Sequence, residues 1–179
     1  MAAALQVVGT AVAWVILFNL NAWFFGYFDW AHVISWVFLP AAVRLLGVMA
    51  LGVRGAAGVF LGTLWTNDAV FGNHLGVSLF VATLSAMGPL IAVHLSARIL
   101  RVPLDLQGLT SGQLTVFALM GALCNVIPHN LFFWSAGLAS SPGSLGAMFV
   151  GDLVGTVLVL YSLRGLLLML ERLAKNPTG

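Results

Sequence analysis

The chain has 179 residues, of which 61% are hydrophobic and only 7% charged, with a formal net charge of +2. Too few polar side chains are present to solvate the outside of a globular domain of this size, which argues against a soluble enzyme or a nucleic-acid-binding domain and for an integral membrane protein. Mean hydropathy is +1.06, and a helix needs about 20 mostly apolar residues to cross a hydrocarbon layer roughly 30 Å thick. Residues 1–179 therefore read as a single transmembrane domain of about six crossings, with no soluble domain.

Gly, Pro and charge divide the sequence into apolar stretches. The first, Leu5–Gly26, has no Lys or Arg before it and reads as a retained helix rather than a cleaved signal peptide. His32–Gly52 follows, with Arg44 in its middle. Ala56–Phe71 is shortest, ended early by "WTND", and a tilted or re-entrant path is as open to it as a full crossing. Leu75–Leu100, Gln113–Trp134 and Leu145–Leu170 complete the set. Only helices and closed barrels satisfy the backbone in lipid, and these runs do not alternate as barrel strands would. The fold class is all-α, a polytopic helical bundle.

Six alternating crossings bring Arg54, Arg98, Arg101, Arg172 and Lys175 to one side, which the positive-inside rule makes cytoplasmic. The expected topology is N-in and C-in, in a bacterial cytoplasmic membrane. Trp23, Tyr27, Trp30, Trp36, Trp65 and Trp134 fall near the opposite helix ends, where an interfacial aromatic belt belongs. Gly55, Gly58 and Gly62 share one face of the third helix, and "GDLVG" sets Gly151 and Gly155 one turn apart on the sixth. Small residues at this spacing allow close helix contacts.

Counting about 1.5 Å per residue from the helix ends puts Asn19, Asn21, Ser35, Asn67, Asp68, Asn125, His129, Asn130 and Asp152 in the outer half of the membrane. Polar groups are costly in lipid and face the bundle interior or a wet cavity. An outward-opening cavity is expected, with Asn67, Asp68, Asn125, His129, Asn130 and Asp152 as its candidate ligand-binding residues. In "CNVIPHN", Pro128 deprives the Cys124 carbonyl of its helical donor, while Asn125 and His129 share the adjoining face. The four His form no HxxxH or HxxE pair on a shared helix face, and the lone Cys124 allows no intramolecular disulfide. No metal or other cofactor is indicated. Nor does any nucleophile stand beside a base, so catalysis is not expected.

Arg44 lies deep for comfortable snorkelling to the cytoplasmic headgroups, which is the alternative to a carboxylate partner. The intramembrane carboxylates are Asp68 and Asp152, and Asp68 falls near the hydrated interface. A buried Arg44–Asp152 ion pair is the expectation.

Two segments carry a family resemblance. "SWVFLPAAVRLLGVMALGVRGAAGVFLGTLW" resembles the tryptophan-proline helix, basic turn and "FLG" helix of the membrane-associated sensor domains of the first-described type. "FVGDLVGTVLVLYSL" resembles their late Gly-Asp-x-x-Gly helix. The resemblance covers about 60 residues directly, and Trp36, Pro40, Gly151, Asp152 and Gly155 are the motif positions. It implies a multi-helix module that senses a signal ahead of a kinase or cyclase output domain. Ala41 and Ala42 stand where the family has a glycine, the crossings are fewer, and no output domain follows Lys175. The expectation is a stand-alone sensory or small-ligand-binding module acting through a membrane or cytoplasmic partner protein. The alternatives are the substrate-binding subunit of an energy-coupling-factor transporter, on size, or a structural subunit of a membrane complex.

Overall fold

Apolar runs that contain few breakers become long helices. In a computed structural model describing residues 1–31, 34–72, 74–100, 111–138 and 143–175, these are α1 (Ala2–Phe25), α2 (Pro40–Leu51), α3 (Val53–Phe71), α4 (Leu75–Leu100), α5 (Ser111–Ser135) and α6 (Gly143–Lys175). Four of them, α1, α4, α5 and the Gly143–Leu163 part of α6, are long and apolar enough to span a membrane. Val8, Val12, Ile16 and Leu20 on α1, Met87, Ile91 and Leu95 on α4, and Leu119, Leu123, Ile127 and Leu131 on α5 are all exposed. A four-residue spacing gathers each set on one helix face. Three aliphatic stripes turned outward are a surface made for acyl chains, and the protein is membrane-embedded.

The second apolar run departs from the expected helix over His32–Gly52. Asp29–Ala31 (β1) and Ile34–Ser35 (β2) pair antiparallel, Val37 and Phe38 are irregular, and the helix begins only at Pro40. Here the helix starts at the proline, whereas α4 and α5 run through Pro89 and Pro128. Proline offers no N–H to the carbonyl of Trp36, four residues back, and its ring collides with it, whereas the first helical turn tolerates both. The described part of the run is thus a non-helical strap, residues 34–38, leading into a helix of 12 residues, about 18 Å long, or half a bilayer.

Backbone that is not helical survives at membrane depth only where protein satisfies it. Here the Phe38 N–H donates to the Gly151 carbonyl at 3.0 Å. The Leu39 N–H donates to Asn21 Oδ1 at 2.8 Å, and Ser35 Oγ donates to the Val37 carbonyl at 2.7 Å. Gly151 and Gly155 admit the strap: a Cβ on Gly151 would collide with the Ser35 carbonyl, and one on Gly155 with that of Phe38. Asn21→Ala strips the Leu39 N–H of its partner, and an unsatisfied buried donor costs about 1–3 kcal/mol. The thermal midpoint in mild detergent is expected to fall accordingly. Asn19→Ala, which removes an exposed bond to the Val15 carbonyl, should leave it unchanged.

α3 is the shortest of the long helices and the centre of the packing, lying against α1, α2 and α4. Glycines set its distances: a side chain at Gly55 would meet the Gly47 backbone, at Gly58 the Val7 carbonyl and Thr10, and at Gly62 the Trp14 ring. α3 and α4 run antiparallel with residues 72–74 between them, so Arg54 and Arg98 share one end of the bundle. Arg54 Nη1 donates there to Gln6 Oε1 at 3.0 Å. That half is filled by Leu45, Val48, Met49, Ala56, Ala86, Val93, Ala97 and Phe117. Trp23, Tyr27, Trp36, Trp65 and Trp134 are exposed. Arg101, Gln107 and Ser141 lie outside the described residues, as do the side chains of Trp30, Arg172 and Lys175.

Candidate functional site

The other half of the bundle is built differently. Where the ends of α1, α3 and α5 meet the starts of α4 and α6, polar side chains turn inward around a cavity of about 150 Å³. α1 brings Trp14 and Asn21; the strap brings Ser35 and Phe38; α2 brings Arg44; α3 brings Thr63, Thr66 and Asn67; α4 brings Ser85; and α5 brings His129 and Phe133. A void of similar volume engineered into an apolar core holds a benzene molecule. This one has room for a ring and the polarity to orient it.

Most polar side chains of the wall have partners on the surrounding helices. Trp14 Nε1 donates to Thr66 Oγ1 at 3.1 Å, and that hydroxyl donates on to the Gly62 carbonyl at 3.1 Å. Asn67 Nδ2 donates to the Ser78 carbonyl at 2.9 Å, tying α3 to α4. His129 Nδ1 is 2.7 Å from the Asn125 carbonyl. A carbonyl only accepts, so Nδ1 carries a proton. Nε2 faces Ser85 Oγ at 3.3 Å. Thr63 is the exception: its side chain is 3% exposed and its hydroxyl has no partner among the described residues.

Arg44 closes the wall. It is 4% exposed, and its Nη2 donates to Asp152 Oδ1 at 2.7 Å. Asn125 Nδ2 donates to the second carboxylate oxygen at 2.8 Å. The guanidinium also lies 5.8 Å from the centre of the Phe38 ring, within cation–π range. Asp152 stands behind the arginine, on a separate crevice of about 10 Å³, the smallest void that admits a water. The charge is neutralised by Asp152, and the arginine borders both the cavity and the crevice.

Of the residues expected to line a cavity, Asn67 and His129 do so, joined by Arg44. The others are placed elsewhere. Asn125 and Asp152 make up the support behind the arginine. Asn130 is fully buried between α5 and α6, where its Oδ1 accepts from Ser144 Oγ at 2.7 Å and its Nδ2 donates to the Val126 carbonyl at 3.0 Å. Asp68 is exposed on α3, since one residue beyond Asn67 turns a side chain through about 100°. Trp14, Thr63, Thr66 and Ser85 escaped the sequence reading. A signal existed on α3, where Thr63, Thr66 and Asn67 stand at i, i+3 and i+4 and so share a face. The carbonyl freed by Pro128 is covered: a Cβ on Gly88 of α4 would lie 3.0 Å from the Cys124 oxygen. No cluster of three His, Cys, Asp or Glu occurs among the described residues.

No family model, curated protein or solved structure matches the chain.

Proposed function

We propose that the protein is a membrane-embedded binding module for a small polar solute, which it holds in the cavity between Arg44, Thr63 and His129. One observation carries this reading. A void the size of a ring is lined by polar side chains from α1 through α5, and one of them, Thr63, is buried with no partner of its own. An unpartnered buried hydroxyl costs free energy, and a turn of that side chain toward a bound solute would recover it.

Binding is favoured over catalysis by the Ser85–His129 pair. Nδ1 of the histidine faces a backbone carbonyl, with no carboxylate there to stabilise a protonated ring. The sensor-domain resemblance rests on sequence motifs alone. Its motif positions Pro40, Gly151, Asp152 and Gly155 meet at the strap and the start of α2, beside the cavity. Sensing, through a membrane or cytoplasmic partner protein, is therefore the role preferred here over solute capture for a transporter. Accumulation of solute in vesicles with a partner present would reverse that preference.

The module sits in a bacterial cytoplasmic membrane with six passes, N-in and C-in, the second made of the strap and α2. Arg54 and Arg98, at one end of the bundle, mark the cytoplasmic side. In a Cys124→Ala background, Gln107→Cys should react with an impermeant maleimide from the inside and Ser141→Cys from the outside. Reaction of both from one side would overturn this orientation.

The binding reading is tested by melting the purified protein in nanodiscs with a panel of ring-sized polar solutes. A solute at 100 times its dissociation constant stabilises by about 2.7 kcal/mol, which reads as a raised midpoint. Val81→Phe, which fills the void from a buried wall position, should abolish that shift. Equal shifts in both proteins would mean that the solutes act elsewhere.

A further inference from the structure

The wall of the cavity is not evenly polar, and its bias identifies the chemistry of the solute. Once the bonds within the wall are made, the free groups are mainly donors. Arg44 has used one of its five N–H groups, on Asp152. Asn21 has committed its oxygen to the Leu39 N–H, leaving its amide hydrogens to the cavity. Thr63 has a hydroxyl without a partner. No Asp or Glu is among the described residues that line the void. The strap residues Ser35 and Phe38 border it just ahead of the first turn of α2, and a helix of this length carries a partial positive charge at that end.

The amides of that first turn are already paired, so the contribution of α2 is its field rather than its hydrogen bonds. Leu39 donates to Asn21, Ala41 to the Phe38 carbonyl and Ala42 to the Leu39 carbonyl, while Pro40 has no N–H. The guanidinium therefore has to supply the hydrogen bonds, and its planar fork suits a carboxylate. Around it, the apolar part of the lining includes five aromatic side chains, Trp14, Phe18, Phe38, Phe71 and Phe133, beside aliphatic ones such as Ile34, Val70 and Val81.

Resting on the reading of this cavity as a solute site, we propose that its occupant is a small aromatic carboxylate, about the size of benzoate. The carboxylate lies against Arg44 and Thr63 and the ring against the aromatic side chains. Asn67 Oδ1, whose amide nitrogen is committed to Ser78, is left to accept from a hydroxyl or amine on the ring. Asp152 holds the arginine from behind when the site is empty, so the fork is fixed before the anion arrives.

The test uses the full chain in nanodiscs of neutral lipid, with empty nanodiscs subtracted, and three probes of one shape: benzoate, benzamide and benzylammonium. Calorimetric titration should show benzoate binding at least about tenfold more tightly than benzamide, and benzylammonium not at all, because hydrogen bonds to a charged group are worth more than neutral ones. Thr63→Val keeps the shape and removes the hydroxyl. It should weaken benzoate by about tenfold while leaving the melting temperature of the empty protein unchanged or raised. Benzamide or benzylammonium binding as tightly as benzoate would overturn the anion assignment and leave the solute site standing. Failure of all three to bind the wild type at millimolar concentration would overturn the solute site itself. Unchanged benzoate affinity in Thr63→Val would remove the carboxylate from the position assigned to it.

Discussion

Asp152→Asn is expected to destabilise the protein by about 3–5 kcal/mol, the cost of leaving one member of a buried ion pair without its counter-charge. Arg44 is buried, and its single side-chain bond among the described residues is to Asp152. No other carboxylate stands near it among the described residues, and the half of the bundle toward Arg54 is filled with Leu45, Val48, Met49 and their neighbours. Adding Arg44→Met to Asp152→Asn should recover most of the loss, since replacing both partners of a buried pair is often nearly neutral. Chemical denaturation in mild detergent measures the cycle. A double variant as unstable as the two single variants added together would show that the groups do not interact. Interhelical polar contacts in membranes average about 0.6 kcal/mol, because the unfolded state in the membrane also finds partners, so the order of the variants is the firmer expectation.

Gly155→Ala should cost about 3 kcal/mol, the upper end for overpacking. What an added methyl meets there is the Phe38 carbonyl and the Leu39 nitrogen, which are backbone atoms and cannot rotate aside. The strap has to move, and its neighbours move with it: Leu39 loses register with Asn21, and Phe38 shifts against the cavity and Arg44. Solute binding should be lost along with stability. Gly146→Ala on the same helix is the control. Nothing lies within 4 Å of a Cβ there, and alanine is the better helix former by about 1 kcal/mol. A destabilised Gly146→Ala, or an unaffected Gly155→Ala, would contradict the packing described.

The helical architecture was legible in the sequence because apolar runs near bilayer length leave the backbone few choices. The strap was not, because hydropathy counts apolar residues without regard to backbone conformation. His32–Gly52 is as apolar as a crossing, and Pro40 favours a helix start without requiring one, since Pro89 and Pro128 lie inside helices. The gathering of polar groups in one half of the bundle was also readable, since depth follows from counting residues. Which of them share a void was not. Depth says nothing about rotation around the helix axis, which is why Asn67 lines the cavity and Asp68 does not. Nor does depth say which groups satisfy each other: Asn125 and Asn130 are taken up by Asp152 and Ser144. Thr63 and Thr66 are absent from the sequence reading, although their spacing to Asn67 marks one polar face. For Arg44, the sequence offered two carboxylates and the structure places it 2.7 Å from Asp152.

The most direct test of a solute site between Arg44, Thr63 and His129 is the position of a heavy atom. Crystals of the protein grown with 4-bromobenzoate, measured at the bromine absorption edge, should give an anomalous peak inside the cavity, among Phe71, Phe133 and Trp14. Peaks confined to the lipid-facing grooves, such as the apolar one bordered by Gly9, Ala13, Leu46 and Leu163, with the cavity empty, would contradict it.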